Sequence, residues 1–279
     1  MRANVRMLIT LLGVTLSSYA QWVNYPTPRI PRTADGKPNL TAAAPRTPDG
    51  KPDLSGLWQI EPSPWAELKL LVGNLNDVFA PGDDLRDFSK YAINILADFK
   101  PEEAPIRPEA LALLRERQSG KGTQMSPCLP GAITFTNLIP ATIKWIQTPG
   151  LIVILQEAGF NFRQVYLDGR KPPRDAQPLW LGYSTGKWEG DTLVIDTTGL
   201  NDKTVLDAFG HPHSDALHVG ERVRRRDFGH LDIQLTIDDP KMYTRPFDIK
   251  YTELLQADSD ILEYVCEENE RDSQHLAKQ

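Results

Sequence analysis

Cysteine is scarce in this chain, with two residues, Cys128 and Cys266, among 279. They have no CxxC spacing, so a thiolate zinc centre or a dithiol redox motif lacks its ligands. A basic excess is missing too. The 31 Lys and Arg are outnumbered by 37 Asp and Glu, for a net charge of −6, which argues against nucleic acid, whose binding draws on clustered cations. The run Arg222, Arg224, Arg225 and Arg226 is too local to reverse that balance. No apolar run reaches the roughly 20 residues that span a bilayer. Ser184 lacks a GxSxG elbow, and the Gly190-Asp191 pair lacks a following helix whose amides could hold phosphate.

What is present begins with MRANVRMLITLLGVTLSSYA. Arg2 and Arg6 precede an apolar stretch from Met7 to Leu16, and small residues Ser18 and Ala20 follow. This pattern predicts a secretory signal peptide over 1–20, cut after Ala20, and a periplasmic or secreted protein. An oxidising compartment favours pairing Cys128 with Cys266 as a disulfide.

Residues 21–53 form a proline-rich, extended lead-in with an internal echo, 31-PRTADGKPNL-40 and 45-PRTPDGKPDL-54. Each copy places an Asp-Gly turn before Lys-Pro. The remainder, 54–279, reads as one domain. Its first strand is 54-LSGLWQI-60, with Gly56 at a close approach and Trp58 large enough to plug one end of a barrel. Three- and four-residue apolar spacing predicts a helical insertion at about 62–120, with helices over 64–76, 84–99 and 108–118. Pro108 stands at a first helical position.

From about 132 the pattern is β. Strands are predicted near 142–147, 151–157, 161–167, 179–190, 192–199, 216–225, 231–238, 249–256 and 260–267, separated by turn pairs such as Pro149-Gly150 and Asp168-Gly169. Eight to ten antiparallel strands in succession predict an α+β, mainly antiparallel fold, a closed or nearly closed meander β-barrel of the kind that holds one small ligand, with an N-terminal helical annex. A β-sandwich is the alternative.

The stretch 210-GHPHSDALHVGERVRRRD-227 carries the sharpest chemistry. His211, His213 and His218 suggest a metal site, but strand parity separates them. Leu217, Val219, Glu221 and Val223 share one face of a strand over 216–225, while His218, Gly220, Arg222 and Arg224 share the other. If a metal such as zinc is held, His211, His213 and Glu221 are the trio; none is favoured. Glu221 among valines is the more pointed feature, because burial disfavours its charge unless a cation or donors meet it. Arg163, alternating with Val165 and Leu167, and His213 are the candidate partners.

The segments 184-STGKWEGDTLVIDTTGLND-202, 210-GHPHS-214, 236-TIDDP-240 and 264-YVCEENERD-272, with 128-CLPG-131 and 165-VYLDGRKPP-173 upstream, resemble a family of uncharacterised secreted bacterial proteins with the pattern WEGDTLVVDT, GxPHS, TERFRR, TIDDP and CxENxxD. The resemblance implies that the barrel is lipocalin-like (calycin-type), and carries over no activity.

Together these readings predict a pocket for a small apolar or aromatic molecule, with Glu221 as acid/base, His213 as its helper and Arg163 as anchor, and no cofactor favoured. Glu157, Tyr166, Gln147, His211 and Trp188 are the expected pocket lining. A cofactor-independent lyase, isomerase or hydrolase is the leading expectation. A periplasmic carrier of small hydrophobic ligands and a His-based metal enzyme are the alternatives.

Overall fold

The computed structural model describes residues 26–71, 84–119, 130–158, 161–173 and 175–263. The expected signal peptide and both members of the Cys128–Cys266 pair lie outside these residues. Nine strands close into a barrel in chain order: β1 (Gly56–Ile60), β2 (Ile143–Gln147), β3 (Leu151–Gln156), β4 (Asn161–Tyr166), β5 (Tyr183–Glu189), β6 (Thr192–Thr198), β7 (His218–Arg225), β8 (His230–Asp238) and β9 (Phe247–Leu255). β1 pairs with both β2 and β9, which leaves no free sheet edge.

Alternation explains the closure. In β8, Leu231, Ile233, Leu235 and Ile237 are buried while the residues between them are half-exposed. β9 buries Phe247, Ile249, Tyr251, Glu253 and Leu255 in the same rhythm. Successive side chains of a strand point to opposite faces, so each strand contributes one row to a shared interior.

One pair departs from the antiparallel meander. β4 and β5 run parallel and share two register pairs, Val165 with Ser184 and Tyr166 with Thr185. Their neighbours β3–β4 and β5–β6 share six and seven. The cause is the connection 167–182, too long for a hairpin, which returns the chain to the end of the barrel where β4 began. β5 starts at Tyr183 and not at 179, because Gly182 turns the chain at φ +64°, where an added Cβ would meet the Thr198 carbonyl at 2.7 Å.

The insertion between β1 and β2 lies over one end of the barrel. It contains α1 (Trp65–Leu71), α2 (Lys90–Ile93), α3 (Pro108–Gln118) and α4 (Ile133–Leu138). The helix expected over 84–99 is instead a 3-10 turn at Leu85–Asp87, the short α2 and a series of turns. α2 stops because Asn94 is extended and the Ile95 amide bonds to the Asp207 carboxylate at 2.5 Å. α4 is a second departure, since ITFTNL is rich in β-branched residues. Packing overrides that weak preference: Ile133 and Leu138 are fully buried, and the Thr134 and Thr136 hydroxyls bond to backbone carbonyls. Residues 260–263, the described part of the last expected strand, are not strand.

The opposite end is plugged by Trp58, fully buried, whose indole donates to the Leu54 carbonyl at 3.1 Å. The Arg225 guanidinium lies 4.8 Å from the Trp58 ring centre and donates to the Asp53, Ser55, Asp227 and Phe228 carbonyls. Gly56 is required here, because a Cβ would fall 2.8 Å from Leu255. The two PRTxDGKPxL copies form matching clips at this end. In each, the arginine bonds to its own glycine carbonyl and to a barrel carboxylate, Arg32 to Asp258 and Arg46 to Asp191. Among the described residues, no helix is long and apolar enough to cross a membrane.

Candidate functional site

The barrel interior is not uniformly apolar. Eight strand residues and two from α4 place polar groups in it: Trp145 from β2, Gln156 from β3, Arg163 from β4, Ser184 from β5, Thr197 from β6, Glu221 from β7, Tyr251 and Glu253 from β9, and Thr136 and Asn137 from α4. The strand residues face inward by alternation, and Thr136 and Asn137 are buried on α4.

Arg163 and Glu221 form the centre of this network. Both side chains are almost completely buried, and the Arg163 Nη2 donates to Glu221 Oε2. Arg163 Nη2 also donates to Thr197 Oγ1 at 2.8 Å, its Nε donates to Ser184 Oγ at 2.9 Å, and the two hydroxyls bond to each other at 2.9 Å. The second Glu221 oxygen accepts from Asn137 Nδ2 at 3.3 Å, and Gln156 Nε2 donates to Asn137 Oδ1 and Thr136 Oγ1. A buried ion pair is tolerable only when donors and acceptors complete its shell in this way.

Among the described residues, five buried polar atoms have no hydrogen-bond partner: Trp145 Nε1, Gln156 Oε1, Arg163 Nη1, Tyr251 Oη and Glu253 Oε2. Leaving such a group unpaired costs about 1–3 kcal/mol each. Polar atoms left over in this way, on the inward faces of β2, β3, β4 and β9, are groups that a bound ligand would satisfy.

Glu253 is the unusual member. Burial, and then the charge of Glu221, push its carboxyl up to about 8. Tyr251 is held well above the usual phenol range, first by burial and then by the charges of Glu253 and Glu221. At neutral pH the interior therefore holds Glu253 as a neutral carboxylic acid and Tyr251 as a neutral phenol, beside the Arg163–Glu221 salt bridge.

A cleft of about 360 Å³ opens at the β4–β5 seam. Phe162, Tyr166, Trp180 and Tyr183 line it, together with Arg163 and Ser184 of the interior network. Tyr166 stacks on Tyr183 at 5.2 Å, with the Arg170 guanidinium 4.1 Å from the Tyr166 ring. The two-pair parallel contact leaves this part of the wall thin.

Of the residues singled out from the sequence, Arg163 and Glu221 are brought together. His213 is not with them. It lies in the 199–217 connection, its Nε2 bonded to Thr204 Oγ1 at 2.6 Å and its Nδ1 near the Ser214 carbonyl, and burial lowers its pKa. His211 bonds through Nδ1 to Asp207 at 2.6 Å, and Asp207 also accepts from the backbone amides of Ile95, Gly210 and His211. The trio His211, His213 and Glu221 is thus divided among three separate partners, and among the described residues no group of three His, Cys, Asp or Glu is placed to hold a metal. Gln147 ties β2 to the lead-in through the Leu54 amide and Pro52 carbonyl. Glu157 follows β3 half-buried, and Trp188 packs on the core beneath Lys51. Tyr166 lines the seam cleft and faces away from the interior.

Glu253, Tyr251 and Trp145 were missed, although a signal existed. The parity argument that turns Glu221 inward also turns Tyr251 and Glu253 inward between Ile249 and Leu255. Asn137 had no such signal, because its segment does not announce a helix. A scan against protein-family models finds no match, and a search of curated proteins finds no relative.

Proposed function

We propose that the barrel takes a small organic molecule into its interior and acts on it by proton transfer, as a lyase, isomerase or hydrolase that draws on side chains alone. The observation that carries this reading is a division of labour between two buried carboxyls. Glu221 is ion-paired and fully bonded, whereas Glu253 is unpartnered and retains its proton to about pH 8. Two titratable groups whose surroundings drive them apart are the usual basis for assigning acid and base roles. Glu253 takes the acid role expected of Glu221, and Glu221 becomes the fixed charge that keeps Glu253 protonated. Arg163 Nη1 and Trp145 Nε1 are free to hold an oxygen on the ligand. Glu253 gives its proton to that oxygen, and the carboxylate so formed can accept a proton from the adjacent carbon.

The test is solvent exchange. A panel of small aromatic molecules bearing acidic C–H bonds is incubated with the protein in D2O and followed by NMR. Exchange above the buffer rate, reduced by about 100-fold or more in Glu253→Gln with binding retained, is the expected result. Binding without exchange supports the non-catalytic carrier instead, and absence of binding across the panel overturns both.

A further inference from the structure

We infer that the interior selects uncharged ligands carrying a hydrogen-bond acceptor, such as a ketone or ester oxygen on a small apolar or aromatic frame, and rejects both carboxylates and amines of the same shape. This inference rests on the reading of the barrel interior as a small-molecule site.

Charge is the first argument. Two guanidiniums are buried on inward faces: Arg163 is neutralised by Glu221 in direct contact, and Arg225, at the plugged end, is engaged by four backbone carbonyls. Among the described residues Glu253 contacts no cation; it is about 1% exposed and lies in the field of Glu221, so it stays uncharged at neutral pH. The interior is then electrically balanced before any ligand enters. An anion meets no spare cation, and a cation meets no spare carboxylate. Moving an unpaired ion out of water into such a space is strongly unfavourable, whereas a neutral molecule escapes that penalty.

Hydrogen-bonding valence is the second argument. Trp145 Nε1 and Arg163 Nη1 can only donate, and the Tyr251 hydroxyl and the protonated Glu253 can donate as well. Against them stands one amide acceptor, Gln156 Oε1. A ligand oxygen that accepts two or three bonds satisfies this excess of donors. A pure hydrocarbon leaves them unpaired, and a site built to hydrogen-bond rejects an analogue lacking the group.

The experiment compares four probes on one ring, acetophenone, benzoate, benzylammonium and ethylbenzene, by NMR titration at pH 6.5 with the full chain. Acetophenone binding at least tenfold tighter than each of the others is expected. In Glu221→Gln, which leaves Arg163 uncompensated, benzoate should gain at least tenfold relative to acetophenone. In Glu253→Gln, which leaves the charge balance unchanged, the ranking should persist, and this second variant keeps the test decisive if Glu221→Gln does not fold. Benzoate, benzylammonium or ethylbenzene matching acetophenone in the wild-type protein overturns the inference and leaves the small-molecule site standing. Benzoate gaining in Glu253→Gln also overturns it, since Glu253 was then an anion. Failure of all four to bind overturns both the inference and the site.

Discussion

Glu253 concentrates the chemistry of the barrel in one side chain. Burial and the charge of Glu221 from β7 act on it, and it acts in turn on Tyr251 of its own strand. A carboxyl raised from 4.5 to about 8 binds its proton more tightly in the folded than in the unfolded state. The folded protein therefore carries no penalty from this group below pH 4.5, and loses stability progressively as pH rises through 8. The loss is on the order of 4–5 kcal/mol at about 1.4 kcal/mol per unit. Denaturant unfolding of wild type and Glu253→Gln at pH 5 and pH 8.5 should thus show the variant gaining relative stability by several kcal/mol at the higher pH. A difference that does not change with pH would mean that Glu253 is not held protonated. Of the central pair, Arg163 and Glu221 were legible as inward residues on predicted strands, but their contact depended on barrel closure across three strand pairings.

At the scale of elements, the 199–217 connection joins the helical annex to the barrel. Asp207 is completely buried and serves four donors there, including the Ile95 amide from beyond α2 and both the amide and the ring of His211. Asp207→Ala should destabilise the protein by about 2–4 kcal/mol, because buried donors lose a charged acceptor. His211→Gln should cost less, since it removes one of the four. Thermal unfolding of both variants decides the order. The histidines that first suggest a metal site thus act mainly as ties within a long loop. His213, whose pKa burial depresses, opposes folding in acid: its stabilising neutral form is fully present above about 6.5 and lost as pH falls. Helix predictions fared unevenly for a related reason. α3 has Pro108 at its start and follows its sequence, whereas the 84–99 segment breaks where Asp207, more than 100 residues away, captures a backbone amide.

The whole molecule is a tube closed at both ends by different means. Helices and the 199–217 connection cover one end, and Trp58 beneath Arg225 fills the other. Three arginines at the plugged end allow a direct comparison. Arg225 is buried, with burial lowering its pKa to about 10, and it bonds to four carbonyls. Arg32 and Arg46 make short bonds to carboxylates but are exposed. Arg225→Ala should cost about 2–4 kcal/mol through lost packing and unpaired carbonyls. Arg32→Ala and Arg46→Ala should each cost far less, and less again at high salt. Equal losses for all three in urea unfolding would contradict this ranking by burial. The duplicated motif then serves as a pair of surface clips, each a repeat of one turn that meets a different carboxylate.

The amino-acid sequence by itself determined nine of the ten expected strands and the barrel class, because period-two alternation and turn residues are local properties of the chain. It also marked Trp58 and Gly56 at the plugged end and placed Glu221 on an apolar face. Tertiary structure decided the rest. The parallel β4–β5 seam, the α4 helix, the separation of His213 from Glu221 and the pairing of Glu221 with Arg163 all depend on which distant segments meet when the sheet closes. Above all, closure sets two glutamates in one interior and gives Arg163 to Glu221 alone, leaving Glu253 buried without a cation. Alternation can turn a side chain inward, but the charge it keeps there depends on the neighbours that folding supplies.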